Sequence, residues 1–162
     1  MIKFWKVSEV YGEFSNWYLC NIFYKDINFN SSEQIFMWGK AKLFNDEDVA
    51  EQILQTTDQR EIKALGRKVK NFDDEIWKEN CYDIMLQANI AKFEQNKNLR
   101  KLLYSVKDEV LVEASPYDKI WGIGLSSSDP RSDNQNQWLG QNLLGKCLSE
   151  TCEYFNQKGW NI

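Results

Sequence analysis

Ile76, Trp77, Ile84, Met85 and Ala88 recur at helical spacing across one unbroken stretch that opens on Asp73-Asp74 and runs to about Phe93. The two aspartates favour the positive end of a helix dipole. A helix of that length gains most of its stability from packing an apolar face against other elements. Other segments of the chain read as its partners. Ser31 and Gln34 have the spacing of a capping box and open a helix to about residue 44. Residues 47–55 and 58–67 read as two more helices, with Asn45-Asp46 as the break before them. Residues 98–105 form a short one, with Leu99, Leu102 and Leu103. A last helix is expected over 137–155, carrying Leu139, Leu143, Leu144, Cys147, Leu148 and Phe155. Strands are expected over 2–7 and 109–114, the second ended by Ser115-Pro116, because the residue before proline is pushed into extended geometry. Residues 18–24 and 27–29 read as a hairpin about Lys25-Asp26. Residues 122–136, rich in Gly, Ser, Asp and Asn, read as one long surface loop. The chain is 43% hydrophobic and 14% aromatic, enough to build a core and to exclude disorder over most of its 162 residues. The expected architecture is α+β: a mainly helical single domain over residues 1–162 with a small β-sheet.

The chain has no histidine. Ser-His-Asp and Cys-His catalysis, His-ligated zinc and a histidine general base are therefore excluded. Acid–base chemistry falls to Asp, Glu, Lys, Tyr or Cys. Cys20, Cys81, Cys147 and Cys152 contain no C-x-x-C pair, no aspartates have calcium-loop spacing, and no metal site is expected. Buried, reduced thiols are the expectation. The net charge of −4 gives no overall nucleic-acid footprint. Residues 1–6 lack the apolar run of a signal peptide, and no stretch is apolar enough to span a bilayer. An intracellular, cytoplasmic protein is expected.

Three places depart from ordinary packing patterns. Glu13-Phe14-Ser15-Asn16-Trp17 is a polar turn among aromatic residues. The second is the helix start Ser32-Glu33-Gln34, where Phe36, Met37 and Lys40 fall three, four and seven residues after Glu33 and share one helix face with it. A carboxylate and an ammonium among Phe36, Met37 and Trp38 would be partly dehydrated, a common setting for functional groups. The alternative is that Glu33, in a first turn, only complements the helix dipole. The third place is Asp118-Lys119-Ile120-Trp121-Gly122-Ile123-Gly124. There the glycines would let backbone approach a ligand, Trp121 would stack on a flat ring, and Asp118 would act as a base or bind sugar hydroxyls. The alternative is a turn capped by Asp118 with Trp121 plugging the core.

Phe14-Ser15-Asn16-Trp17, Ser32-Glu33-Gln34 with Phe36-Met37 and Lys40-Ala41, Gly66-Arg67, Trp77 and Ala91-Lys92-Phe93 recur in order with two further blocks. These are Glu113-Ala114-Ser115-Pro116-Tyr117-Asp118-Lys119-Ile120-Trp121-Gly122-Ile123-Gly124 and Trp138-Leu139-Gly140-Gln141-Asn142-Leu143-Leu144-Gly145. With this set the chain resembles the NADAR superfamily of YbiA-like N-glycosidases over nearly its whole length. The resemblance implies a compact, largely helical α+β domain that cleaves an N-glycosidic bond to ribose without a cofactor. It implies small ribosyl or ADP-ribosyl substrates, such as ribosylamino intermediates of riboflavin synthesis or NAD-related compounds. It further implies catalytic roles for Glu33, Asp118 and Lys92, and substrate contacts from Asn16, Trp17, Phe36, Lys40, Trp121, Gly122, Gly124 and Asn142. One departure stands out. The family's last helix usually carries an arginine after Gly140-x-Asn142-x-x-Gly145, where this chain has Thr151 and Cys152. If that arginine grips a phosphate, the role passes here to Arg67, Lys92, Lys119 or Arg131.

The chemistry needs no histidine. Breaking a ribosyl C–N bond builds positive charge on the sugar, which a carboxylate stabilises or relieves by activating water. A lysine that forms a Schiff base with the open-chain sugar is the other route. Two further readings of function remain: removal of ADP-ribose from guanine in nucleic acid, and binding of ADP-ribose or a nucleotide without turnover.

Overall fold

The computed structural model describes residues 1–162. They divide into two compact units: Leu19–Asn96, and Met1–Tyr18 together with Lys97–Ile162.

The Leu19–Asn96 unit begins with an antiparallel hairpin, β2 (Ile22–Tyr24) and β3 (Ile27–Phe29), in register Ile22 to Phe29 and Tyr24 to Ile27. Its two-residue turn puts Lys25 and Asp26 at φ 50° and 64°, the doubly left-handed geometry that suits the twist of paired strands. Four helices follow: α1 (Ser32–Leu43), α2 (Glu47–Leu54), α3 (Gln59–Arg67) and α4 (Asp74–Gln95). Each is capped by a side-chain oxygen that satisfies an otherwise orphaned amide. Ser31 Oγ accepts from the Gln34 amide, Asp46 from Val49, Asp58 from Arg60 and Glu61, and Asp73 from Ile76. The box expected at α1 closes one residue early: Gln34 Oε1 accepts from the Asn30 amide at 2.7 Å, and its amide nitrogen donates to Ile53 O at 2.9 Å. α1 packs against α2, α3 and α4, and residues 31–38 are all buried.

The other unit pairs β1 (Ile2–Phe4) in parallel with β4 (Leu111–Glu113). The sheet component is thus two separate two-stranded sheets rather than the single small sheet expected. A 3-10 turn spans Gly12–Phe14, and α5 (Lys97–Ser105) precedes β4. Two expectations fail between residues 122 and 142. The segment expected as surface loop buries Ile123 and Leu125 with Val112 and Ala114, under Trp138, and contains 3-10 turns Pro130–Asp133 and Gln135–Gln137. The last helix, α6 (Leu143–Lys158), starts six residues later than its periodicity suggests. The amides of Leu139, Gln141 and Asn142 donate to the carbonyls of Ile123, Lys119 and Gly122 instead of entering a helix. α6 packs on β4.

Candidate active site

On the Leu19–Asn96 unit, α1 positions Glu33, Phe36 and Lys40. Glu33 is only 7% exposed, so it is a buried carboxylate in the first helical turn and not a solvated complement to the dipole. Phe36 is buried, and its ring lies 5.1 Å from that of Trp77 on α4. Lys40, half-buried, holds its ammonium 4.8 Å from the Phe72 ring centre and 5.4 Å from that of Trp77. Burial, and then the Arg67 guanidinium beside it, push the Lys40 amine below its ordinary range. Lys92, on α4, is fully buried, with its ammonium 5.3 Å over the Phe93 ring. Its charge draws the half-buried Cys20 thiol down, but burial wins and that thiol is raised.

On the other unit, the loop after β4 carries Asp118 and Trp121. Asp118 Oδ1 accepts from the amides of Ile120 and Trp121, both at 2.9 Å, which locks the turn. Its Oδ2 has no hydrogen-bond partner in the protein. Trp121 is half-buried and so does not plug the core. The loop is braced from the α6 side, where the amides of Leu143 and Leu144 donate to the carbonyls of Ile120 and Trp121. The same bonds consume the first amides of α6. The glycines serve this brace. A Cβ at Gly122 would stand 2.9 Å from the Asp118 carbonyl and 3.0 Å from that of Glu113. Gly124, at φ 71°, has a backbone that side chains rarely adopt. Asn142, buried at φ 54°, accepts from the Glu113 amide and donates to Leu111 O, both at 3.0 Å. Its amide group therefore binds β4. Asn16 is buried in the early turn. Trp17 is half-buried, and its amide donates to Ser15 Oγ at 3.2 Å.

The residues expected from sequence therefore fall into two groups, Glu33, Phe36, Lys40 and Lys92 on one unit and the rest on the other. Phe72 was not singled out by sequence, nor was its stacking role beside Lys40. The available signal was the run of cations from Lys63 to Lys70 that leads into Phe72. No group of three or more His, Cys, Asp or Glu side chains is placed to hold a metal ion. No helix is long and apolar enough to cross a membrane. All four cysteines are free, three of them buried.

A family model for the NADAR domain matches residues 3–155. The chain belongs to the NADAR family. Among curated relatives, the N-glycosidase R617 of Acanthamoeba polyphaga mimivirus is 41% identical over 146 residues, covering 86% of this chain and 85% of its own length. The Escherichia coli N-glycosidase YbiA is 30% identical over 153 residues, 94% of this chain and 87% of its own. The Caenorhabditis elegans protein irg-1 is 43% identical over 131 residues, and this chain spans 62% of that protein's length. The NMR structure of E. coli YbiA superposes with a TM-score of 0.80 at 28% identity, covering 99% of this chain and 88% of that one. The N-glycosyl hydrolase class expected from sequence is thus the class that R617 and YbiA carry by name, and the mainly helical α+β fold is that of YbiA. Where the resemblance leads one to expect an arginine, this chain turns Thr151 and Cys152 into its core. Thr151 Oγ1 donates to Cys147 O at 2.8 Å, and burial, with Asp108 nearby, pushes the Cys152 thiol up to about 12. Neither residue offers a cation.

Proposed function

We propose that this protein is a cytoplasmic, cofactor-free N-glycosidase that hydrolyses the bond between a base nitrogen and the ribose of a small ribosylated or ADP-ribosylated metabolite. A ribosylamino intermediate of riboflavin synthesis and an NAD-related compound are the two substrate types the family suggests. The observation that carries this reading is the burial of Glu33 at the head of α1, with Phe36 one turn on. A carboxylate held out of water costs free energy and persists where its charge has a task. Here that task is to stabilise the cationic ribose or to take a proton from water. Asp118, with Oδ1 committed to the turn and Oδ2 open, is suited to a sugar hydroxyl or a water. Lys92, enclosed in protein, supports the site electrostatically or supplies the amine of a Schiff-base route.

A second reading, release of ADP-ribose from guanine in nucleic acid, gains support from the exposed cations Lys63, Arg67, Lys68 and Lys70. Incubation with a panel of ribosylated compounds and an ADP-ribosylated oligonucleotide, followed by mass detection of free base and free sugar, separates the readings. Release from the small compounds supports the first. Release from the oligonucleotide alone supports the second. Binding with no release from any compound would contradict both and leave a binding module.

A further inference from the structure

The first amides of a helix lack partners within it, so a first turn frays unless something holds it. α2, α3 and α4 are each capped by an aspartate. α1 is held differently. Its cap, Ser31, is neutral, and the cap is itself gripped by a side chain of another helix: the Ser31 hydroxyl donates to Gln59 Oε1, on α3, at 2.6 Å. Gln59 Nε2 spends both of its protons, on Asn30 Oδ1 and Thr57 O, each at 3.0 Å. Its Oε1 is thereby turned to Ser31. A hydroxyl has one proton. With that proton given to Gln59, Ser31 Oγ accepts from the Gln34 amide at 3.0 Å. Reversing the Gln59 amide would set its oxygen against two acceptor oxygens, so the direction of the whole chain of bonds is fixed.

Asn30 and Gln34 close the rest. Asn30 Nδ2 donates to Thr56 O at 3.0 Å. Gln34 Nε2 donates to Ile53 O at 2.9 Å and to Thr56 O at 3.3 Å, while its Oε1 accepts from the Asn30 amide at 2.7 Å. The head of α1 is thus tied to the end of α2 and the start of α3. Ser31, Gln34 and Gln59 are all buried, where a half-satisfied polar network is costly. A serine cap alone stabilises a helix about as well as an aspartate does. What the added side chains supply is a fixed place for the residues between Ser31 and Gln34, and one of these is the buried Glu33. None of Asn30, Ser31, Gln34 and Gln59 is charged. No second carboxylate therefore repels Glu33 from the cap, as an aspartate there would.

We propose that Gln59 is a positioning residue for the N-glycosidase reaction: acting through Ser31, it locks the first turn of α1 and so holds the Glu33 carboxylate in its working place. This role rests on the reading of Glu33 as the working carboxylate. Catalytic groups must be held within about 0.5 Å of their productive geometry by a supporting layer of packing and hydrogen bonds. A misplacement of about 1 Å costs on the order of a hundredfold in rate.

The test is steady-state kinetics on the substrate released in the compound panel, with a melting profile for each protein: Gln59→Met, Ser31→Thr, Glu33→Gln, and Gln59→Met combined with Glu33→Gln. Gln59→Met keeps the length of the side chain and removes its bonds to Ser31, Asn30 and Thr57. In the folded variant kcat falls by about tenfold or more, while KM changes by less than about threefold. Ser31→Thr, which keeps the hydroxyl and a good cap, holds kcat within about threefold of wild type. In the Glu33→Gln background, Gln59→Met lowers kcat by less than about threefold further, because a residue that acts through Glu33 has nothing left to position. Losses that multiply in the combined variant, or near-normal kcat in folded Gln59→Met beside an inactive Glu33→Gln, overturn the proposal and leave the reading of Glu33 standing. Near-normal turnover by Glu33→Gln removes that reading, and the role of Gln59 with it. If Gln59→Met does not fold at the assay temperature, Gln59→Glu is held to the same criteria: it has the same shape and accepts from Ser31, but its carboxylate donates to neither Asn30 nor Thr57.

Discussion

Asn142 accepts the Glu113 amide on its Oδ1 and donates through Nδ2 to the Leu111 carbonyl, so one side chain ties the start of α6 to both ends of β4. Its left-handed backbone, φ 54°, lets the chain turn from the Asp118 brace into the helix. Asn142→Ala removes both bonds, strands the buried Leu111 carbonyl and the part-buried Glu113 amide, and puts a side chain without polar compensation into left-handed geometry. It should destabilise the protein by about 2–4 kcal/mol. Chemical denaturation of the variant checks this. A loss below about 0.5 kcal/mol would mean that the brace holds without it.

Asp118→Asn keeps an oxygen to accept from the Ile120 and Trp121 amides but removes the charge at Oδ2. The fold should hold, and turnover on a confirmed substrate should fall while binding stays nearly intact. Trp121→Ala should weaken ligand binding by about ten- to a hundredfold, the scale of losing a base-stacking ring. Because Trp121 is half-buried, some stability should go as well. Melting and ligand titration on the same proteins separate the effects. A Trp121→Ala protein that unfolds at ordinary temperature, with Asp118→Asn fully active, would remove this loop from the site.

Asp46 accepts from the Lys70 amide at 2.9 Å on Oδ2 and from the Val49 amide at 3.2 Å on Oδ1. The Lys70 amide first, and the Val49 amide next, hold its carboxyl below the ordinary 3.8. The folded state thus takes up this proton less readily than the unfolded state. The stability Asp46 contributes is complete above about pH 4 and drains away as pH falls through the lower folded value. Urea midpoints measured from pH 6 downward should fall more steeply in this acid range for the wild type than for Asp46→Asn. Parallel curves would show that Asp46 is not linked to the transition.

No metal is needed for the proposed chemistry, since the carboxylates and lysines supply charge and protons and no donor cluster gathers. Activity should survive exhaustive treatment with EDTA. Full loss, restored by one divalent ion, would contradict the reading of the site.

α4 was legible because Asp73 caps it and Trp77, Ile84, Met85 and Ala88 recur at helical spacing within its 22 residues, although Ile76, which shares the pattern, is exposed. The hairpin was legible because the Lys25-Asp26 break lies between two β-branched and aromatic runs. The start of α6 was not. Leu139 and Leu143 carry helical spacing, but the amides between them are claimed by carbonyls of the Asp118 loop, a tertiary effect that local pattern does not carry. Ile123 and Leu125 were hidden in the same way, two apolar residues in a polar stretch that packs them under Trp138. At the site, residue types were legible and environments were not. A first-turn glutamate looks the same in sequence whether it is solvated or buried, and packing of α1 among three helices decides it.

Glu33→Gln is the most direct test of the central claim. The substitution keeps the size of a buried side chain and removes its charge, so a circular dichroism spectrum and melting profile close to wild type should accompany it. On the substrate released in the compound panel, the account predicts a fall in turnover of at least about a hundredfold, the scale of losing an acid–base group. Near-normal turnover by a folded Glu33→Gln protein would contradict the account, leaving Glu33 with a role only in building the head of α1.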